Sequence, residues 1–238
     1  MTQKARVPFG FTILVIFGLV ALCGLGAWQL SAHFWQQKLG EIRDERLILP
    51  PVPLASDMGF RLGYVFTVVE ARGTYLHDKE LTVRLQHFDT EPGVHVVTPL
   101  KLEDGTIVMV DRGWVPYDRK LPEVKPEGEI TVVGALKPPG LRGVFKPRND
   151  ASAGKWYAVD PKAMGRALNL DKVRPYFIEL APDQAAKGLL PKSGYAPYVP
   201  NNSNLYFAIG WFVASLGMVL IWFERRRKAR IEAEEPKQ

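Results

Sequence analysis

Two uncharged apolar runs, one toward each end, constrain this chain more than any other feature. The C-terminal run extends from Leu205 to Phe223 and is closed by Glu224 and the basic stretch Arg225, Arg226, Arg227, Lys228. As a helix it reaches about 28 Å, close to the hydrocarbon thickness of a bilayer. Tyr206, Trp211 and Trp222 lie within it, and aromatics near the ends with arginines beyond one end suit a membrane helix whose C-terminus is cytoplasmic. The N-terminal run, Phe9 to Leu30, covers about 33 Å as a helix, enough to cross with some tilt. A cleaved signal peptide is the rival reading, but its apolar core lasts only about 7–15 residues before a small-residue site. Leu22 ahead of Cys23 also makes a poor lipoprotein cleavage site.

Charge follows the same plan. The net charge of +6 and the pI near 9.4 could point to nucleic acid. Much of the excess, however, flanks the apolar runs: Lys4 and Arg6 before the first, Arg225 to Arg230 after the second. Topology and anionic headgroups explain that placement without DNA or RNA. Both basic flanks inside leave the intervening segment on the outer face. The expected setting is a bacterial inner membrane with both termini cytoplasmic and the central domain periplasmic. With Cys23 the single cysteine, no internal disulfide or thiolate cluster can form.

The order expected along the chain is a cytoplasmic head at 1–8, a span at 9–30, a helical extension and Pro-rich linker at 31–58, a β domain at 59–182, a return segment at 183–204, a span at 205–223 and a basic tail at 224–238. Leu30, Phe34, Leu39 and Ile42 keep helical spacing beyond the first span, until Pro50, Pro51 and Pro53 impose an extended linker. Strand signals follow in YVFTVVEARGTY, where Gly73 marks a bulge or turn, then in LTVRL, GVHVVTPLKL, TIVMVDRGW, EITVVGAL and PYFIEL. Asp104-Gly105 predicts a hairpin with a primed turn. A short helix is expected from Asp160 to Leu168, with Asp160 as N-cap and Pro161 in the first turn. The fold class is therefore an α+β membrane protein: two transmembrane helices flanking a mostly antiparallel β domain with one or two short helices.

Catalysis has no visible home. There is no nucleophile elbow, zinc-protease helix, phosphate loop or dinucleotide fingerprint. Of the four histidines, His77 and His87 read as surface strand or loop residues, His95 as a packed strand residue, and His33 as lying near the outer membrane boundary. Asp111 and Arg112 read as a structural salt bridge or turn lock rather than an acid–base pair. Gly93 and Gly113 read as backbone requirements, Trp114 and Pro116 as core filling.

GAWQL at the end of the first span, PGVHVVTPLKLEDG, VDRGWVP, VFKPRND…KWYAVD and NNSNLYFAIGWF occur in an order and spacing that resembles the Surfeit locus protein 1 family. That family comprises assembly factors of haem-copper cytochrome c oxidase, and the resemblance runs from Gly26 to Arg227. It implies a non-enzymatic protein that helps mature oxidase subunit I by delivering or retaining haem a, alongside other assembly factors and membrane lipid. The alternative is an accessory protein that stays with the oxidase and binds no haem. The resemblance marks Trp28, Gln29, Gly93, Arg112, Gly113 and Trp114 as structural or partner-contact positions, and Trp211 as a residue that could pack a porphyrin or its farnesyl tail. Where the family motif has histidine, before the second span, this chain has Asn204. An asparagine amide is a poor axial ligand beside imidazole. His33, expected at a similar depth, is the candidate replacement.

Overall fold

The computed structural model describes residues 8–55, 62–84, 92–117, 125–140, 147–182, 191–195 and 202–234. Lys4, Arg6, His87 and most of the return segment lie outside the described residues. The chain divides into two compact units, Met1–Glu41 with Val199–Gln238, and Ile42–Tyr198.

The first unit is a pair of helices, α1 (Phe9–Leu47) and α3 (Ser203–Glu234). Both are long and apolar enough to cross a membrane, and both run beyond their apolar stretches. Neither contains proline, and α1 stops only as the chain nears Pro50 and Pro51. One stripe along each helix is withdrawn from the surface while the rest of its apolar surface is exposed. On α1 the stripe includes Thr12, Val15, Leu22, Gly26 and His33; on α3, Asn204, Ala208, Trp211, Ser215 and Met218. The exposed faces, with Phe17 at 72% and Tyr206 at 70%, are what lipid would cover.

The second unit is built on seven strands: β1 (Val52–Pro53), β2 (Val68–Tyr75), β3 (Leu81–Val83), β4 (Gly93–Leu102), β5 (Ile107–Pro116), β6 (Glu129–Lys137) and β7 (Val173–Leu180). Their order is β1-β2-β6-β7-β5-β4-β3, and an additional β2–β4 pairing closes the middle five into a barrel. Closure explains Gly73, which sits in regular ladder rather than at a bulge. A Cβ there would strike the Lys101 carbonyl where β2 crosses to β4. Pairing is antiparallel except for β1–β2 and β5–β7.

Side-chain alternation sorts two cores. Val69, Ala71, Leu100, Val108, Val110, Val132, Tyr176 and Ile178 fill the barrel. The opposite faces of β3, β4, β5 and β7 supply Val83, Val97, Met109 and Phe177, which pack on Trp156, Val159 and Met164. Met164 belongs to α2 (Pro161–Ala167). Burial on both faces is why β4 and β5 read as nearly continuous apolar runs. The sequence places α2 correctly: Asp160 caps it by accepting from the Ala163 amide, and Pro161 opens it.

Three local expectations are corrected. Val65 and Phe66 lie outside β2, because Phe66 takes φ 65° in a turn closed by Thr67 N–H on the Tyr64 carbonyl. The β4–β5 connection is not a primed turn. Gly105 alone has positive φ, its N–H bonds to the Leu102 carbonyl, and Leu102 N–H bonds to Thr106, the pattern of a longer loop with a left-handed glycine. Finally, Val52 and Pro53 of the expected linker add a short parallel strand to β2.

Candidate functional site

Two sets of candidate residues emerge, one in each unit. In the β domain, Gly93, Arg112, Gly113 and Trp114 gather at one end of the β4–β5 ladder. Val96 pairs with Gly113 and Val97 with Asp111, so Arg112 is the extra residue of a β-bulge. Gly113 has φ +120°, and a Cβ there would run into the Lys192 backbone. That close approach lets Trp114 exchange both backbone hydrogen bonds with Lys192, at 3.0 and 2.8 Å. A Cβ on Gly93 would displace the Trp114 indole. Trp114 and Pro116 are half-buried rather than core residues, a correction to the sequence reading.

Asp111 and Arg112 do not pair with each other: Asp111 turns to His95 and Arg112 to Glu80. Asp111 accepts from His95 Nδ1–H, and at 3.0 Å from the Gly113 amide, locking the bulge. Arg112 meets Glu80 at 3.2 Å and lies over the Tyr75 ring, 5.2 Å from its centroid. Glu80 also accepts the Thr98 hydroxyl at 2.9 Å. Burial pushes the Tyr75 phenol far above its ordinary value, so it remains neutral beside the ion pair. His77, read as a surface residue, is half-buried with its Nε2 2.7 Å from the Pro126 carbonyl. Asn149 does the corresponding work in the VFKPRND…KWYAVD stretch. Its side chain bonds the Tyr157 and Ala158 amides and the Ala158 carbonyl, delivering Trp156 to the second core. Sequence reasoning passed over Glu80, Asn149 and Lys192; the Asx-type turn chemistry of Asn149 was the one readable signal.

In the helix pair, four contacts fix an antiparallel register. Trp222 Nε1–H donates to Thr12 Oγ1 at 3.4 Å, and Cys23 Sγ lies 3.7 Å from Ser215 Oγ. Gly18 faces Met218, and Gly26 faces the Phe212 ring. Small residues let the backbones approach, as membrane helix pairs require. Seven residues on from Gly26 is His33, and seven back from Phe212 is Leu205, so the register sets His33 level with Leu205 and Asn204. His33 is buried, with Nε2 3.1 Å from Gln37 Nε2 on its own helix. Trp211 is half-buried and its carbonyl accepts the Ser215 hydroxyl at 2.8 Å. Trp28 stands apart, 63% exposed, while Gln29 is half-buried.

The sequence matches a known protein family. A family model described as the SURF1 family matches residues 16–216, from within α1 to within α3. The chain belongs to the SURF1 family. It is 28% identical over 221 residues to Surfeit locus protein 1 of Mus musculus, covering 85% of this chain and 71% of that protein. It is 27% identical over 233 residues to Surfeit locus protein 1 of Homo sapiens, covering 90% and 76%. To a SURF1-like protein of Drosophila melanogaster it is 26% identical over 239 residues, covering 92% and 77%.

Haem is the group that the sequence resemblance implies. Among the described residues, no group of three His, Cys, Asp or Glu side chains is placed to hold a metal. His77 and His95 are engaged within the β domain. Among the described residues the helix pair offers one imidazole, His33, and its Nε2 lies 3.1 Å from Gln37 Nε2, so that nitrogen is already hydrogen-bonded. The donor set is therefore one engaged imidazole and not a chelating site.

Proposed function

We propose that this chain is a membrane-anchored assembly factor for haem-copper cytochrome c oxidase that helps mature subunit I by delivering or retaining haem a. The single observation carrying the proposal is that the family match runs from within α1, through the whole β domain, to within α3. In this reading the helices cross a bacterial inner membrane, Arg225 to Lys228 stay cytoplasmic, and the β domain faces the periplasm. The chain acts by binding and orienting subunit I and its assembly partners, not by catalysis. Its clustered ionisable groups support this: His95 and Asp111 bond each other, Asp111 also holds the backbone bulge, and Arg112 pairs with Glu80. Membrane lipid is its second surrounding, and nucleic acid has no part in it.

A second reading has its own support. Asn204 stands where the family motif has histidine, which favours an accessory protein that remains with the oxidase and carries no haem. Deleting the chromosomal copy and measuring haem a and subunit I in isolated membranes tests the proposal. Oxidase content should fall and return on complementation; unchanged oxidase in a strain without a second copy would refute it. Stoichiometric copurification with mature oxidase, without extra haem, would select the second reading.

A further inference from the structure

We infer that the open edge of β2 beside the β4–β5 hairpin is a docking groove for an extended, lysine- or arginine-bearing segment of a partner protein, which adds there as a strand. The inference concerns the β domain alone and does not depend on the haem reading. Its first observation is a gap in the ladder. Successive residues of a strand send their N–H and C=O groups to alternate edges. Leu136 N–H bonds the Thr67 carbonyl on the β6 side, and Leu54 N–H bonds the Glu70 carbonyl on the β1 side. The even-numbered residues of β2 therefore face away from β6. On that edge β1 covers only Val69 and Glu70, and β4 pairs only from Gly73 onward. The N–H and C=O of Arg72 fall between the two, and among the described residues neither meets a backbone partner there. A donor and an acceptor left open on a strand edge are a template for another chain's peptide.

The second observation is the cavity in front of this gap. Its volume is about 440 Å³, within the range of about 300–1,000 Å³ that binding pockets occupy. Pro53, Leu54, Ala71 and Leu102 give it apolar walls. Arg174 also lines it, but its guanidinium is taken up by Asp104, Thr106, Tyr176 and the Ala55 carbonyl at 2.7 to 2.9 Å. Asp104 is neutralised in the same contact. The charge left over is negative: Arg72 reaches Glu70 only at 3.7 Å with its own side chain 66% exposed, and Glu103 is exposed with no side-chain partner among the described residues. A chain laid along Arg72 sends alternate side chains into the cavity and out over its rim. An apolar residue suits the first direction, and a lysine or arginine in the second meets Glu103 and Glu70. A lipid or other purely apolar ligand would leave the Arg72 peptide groups unpaired, and an acidic segment would face the two carboxylates.

Titration of the full-length, isotope-labelled chain in detergent with acetyl-Thr-Val-Lys-Val-Thr amide tests this, with the Arg72 amide resonance as the readout. The peptide should shift that resonance and slow its exchange with solvent. Glutamate in place of the peptide's lysine should weaken binding about tenfold. Of the two forms N-methylated at alternate backbone positions, one should bind about tenfold more weakly and the other normally, because a strand turns only every second amide toward its neighbour. Glu103→Lys, at an exposed position, should weaken the lysine peptide, strengthen the glutamate peptide and leave the melting temperature unchanged. Equal binding of the lysine and glutamate peptides, or an Arg72 amide that no peptide moves, would overturn the inference. So would a shift of that resonance with protein concentration alone, or with lipid vesicles in place of peptide, which would assign the edge to a second copy or to lipid.

Discussion

The imidazole of His95 and the carboxylate of Asp111, on adjacent strands, are joined at 3.0 Å with both side chains nearly sealed from solvent. Because the same carboxylate takes the Gly113 amide, this pair sets the bulge on which the RGW stretch turns. Asp111→Ala strands two buried donors at once, each worth about 1–3 kcal/mol. It should cost more stability than His95→Gln, and a denaturant melt of the full chain in detergent will show whether the order holds.

Gly113→Ala combines positive-φ strain with a collision against the Lys192 backbone. Backbone strain of this kind costs about 1–3 kcal/mol. Steady-state protein abundance should drop, and limited proteolysis should release the segment around Lys192 first. Gly93→Val acts through the Trp114 indole and should lower abundance too. A normally abundant but inactive Gly93 variant would instead assign that end of the ladder to partner contact.

Cys23 and Ser215 give the helix pair a built-in ruler. Ser215→Cys places a second thiol where Cys23 Sγ now lies 3.7 Å from the serine oxygen. Mild oxidation or a short thiol crosslinker should join the two, seen as an internal link between fragments after proteolysis. Gly210→Cys, at a position open to its surroundings, should not link. The reverse result would break the register on which His33 and Asn204 are set level.

Asp104 contributes a pH dependence of known sign. Hydrogen bonds from Thr106, at 2.6 and 2.8 Å, and then the Arg174 guanidinium hold its carboxyl below the usual carboxylate value. A depressed folded-state pKa means that its stabilisation is fully present above the unfolded value, about 3.9. That stabilisation is lost as pH falls through the lower folded value. Asp104→Asn should therefore flatten the acid limb of the stability curve below about pH 4 and change little at neutral pH beyond a constant offset. Urea midpoints measured across that range check the point. Arg174 adds a cross-brace: it also bonds Ala55 O at 2.8 Å, bridging the β1 side and the β4–β5 hairpin above a cavity of about 440 Å³.

Reporter fusions test the topology. On the proposed topology, alkaline phosphatase joined after residue 150 should be active and joined after residue 228 inactive, since a basic run such as Arg225 to Lys228 favours the cytoplasmic side. Activity at the second site would invert the membrane orientation.

The sequence by itself determined the two apolar helices, the β character of the middle, the α2 cap at Asp160 and the family motifs. Each is a local pattern: an uncharged run, an alternation, a cap residue, a short string of residue types. Barrel closure at Gly73, the His95–Asp111 lock, the Arg112–Glu80 pair over Tyr75 and the seating of Gly26 against Phe212 were decided only in three dimensions. These join residues far apart along the chain, and no local propensity encodes which strand crosses which or which turn of one helix faces which turn of another. The same separation explains one of the misreadings within a motif. Adjacent Asp111 and Arg112 look like an ion pair in sequence, but at the bulge each finds a partner distant along the chain, His95 and Glu80.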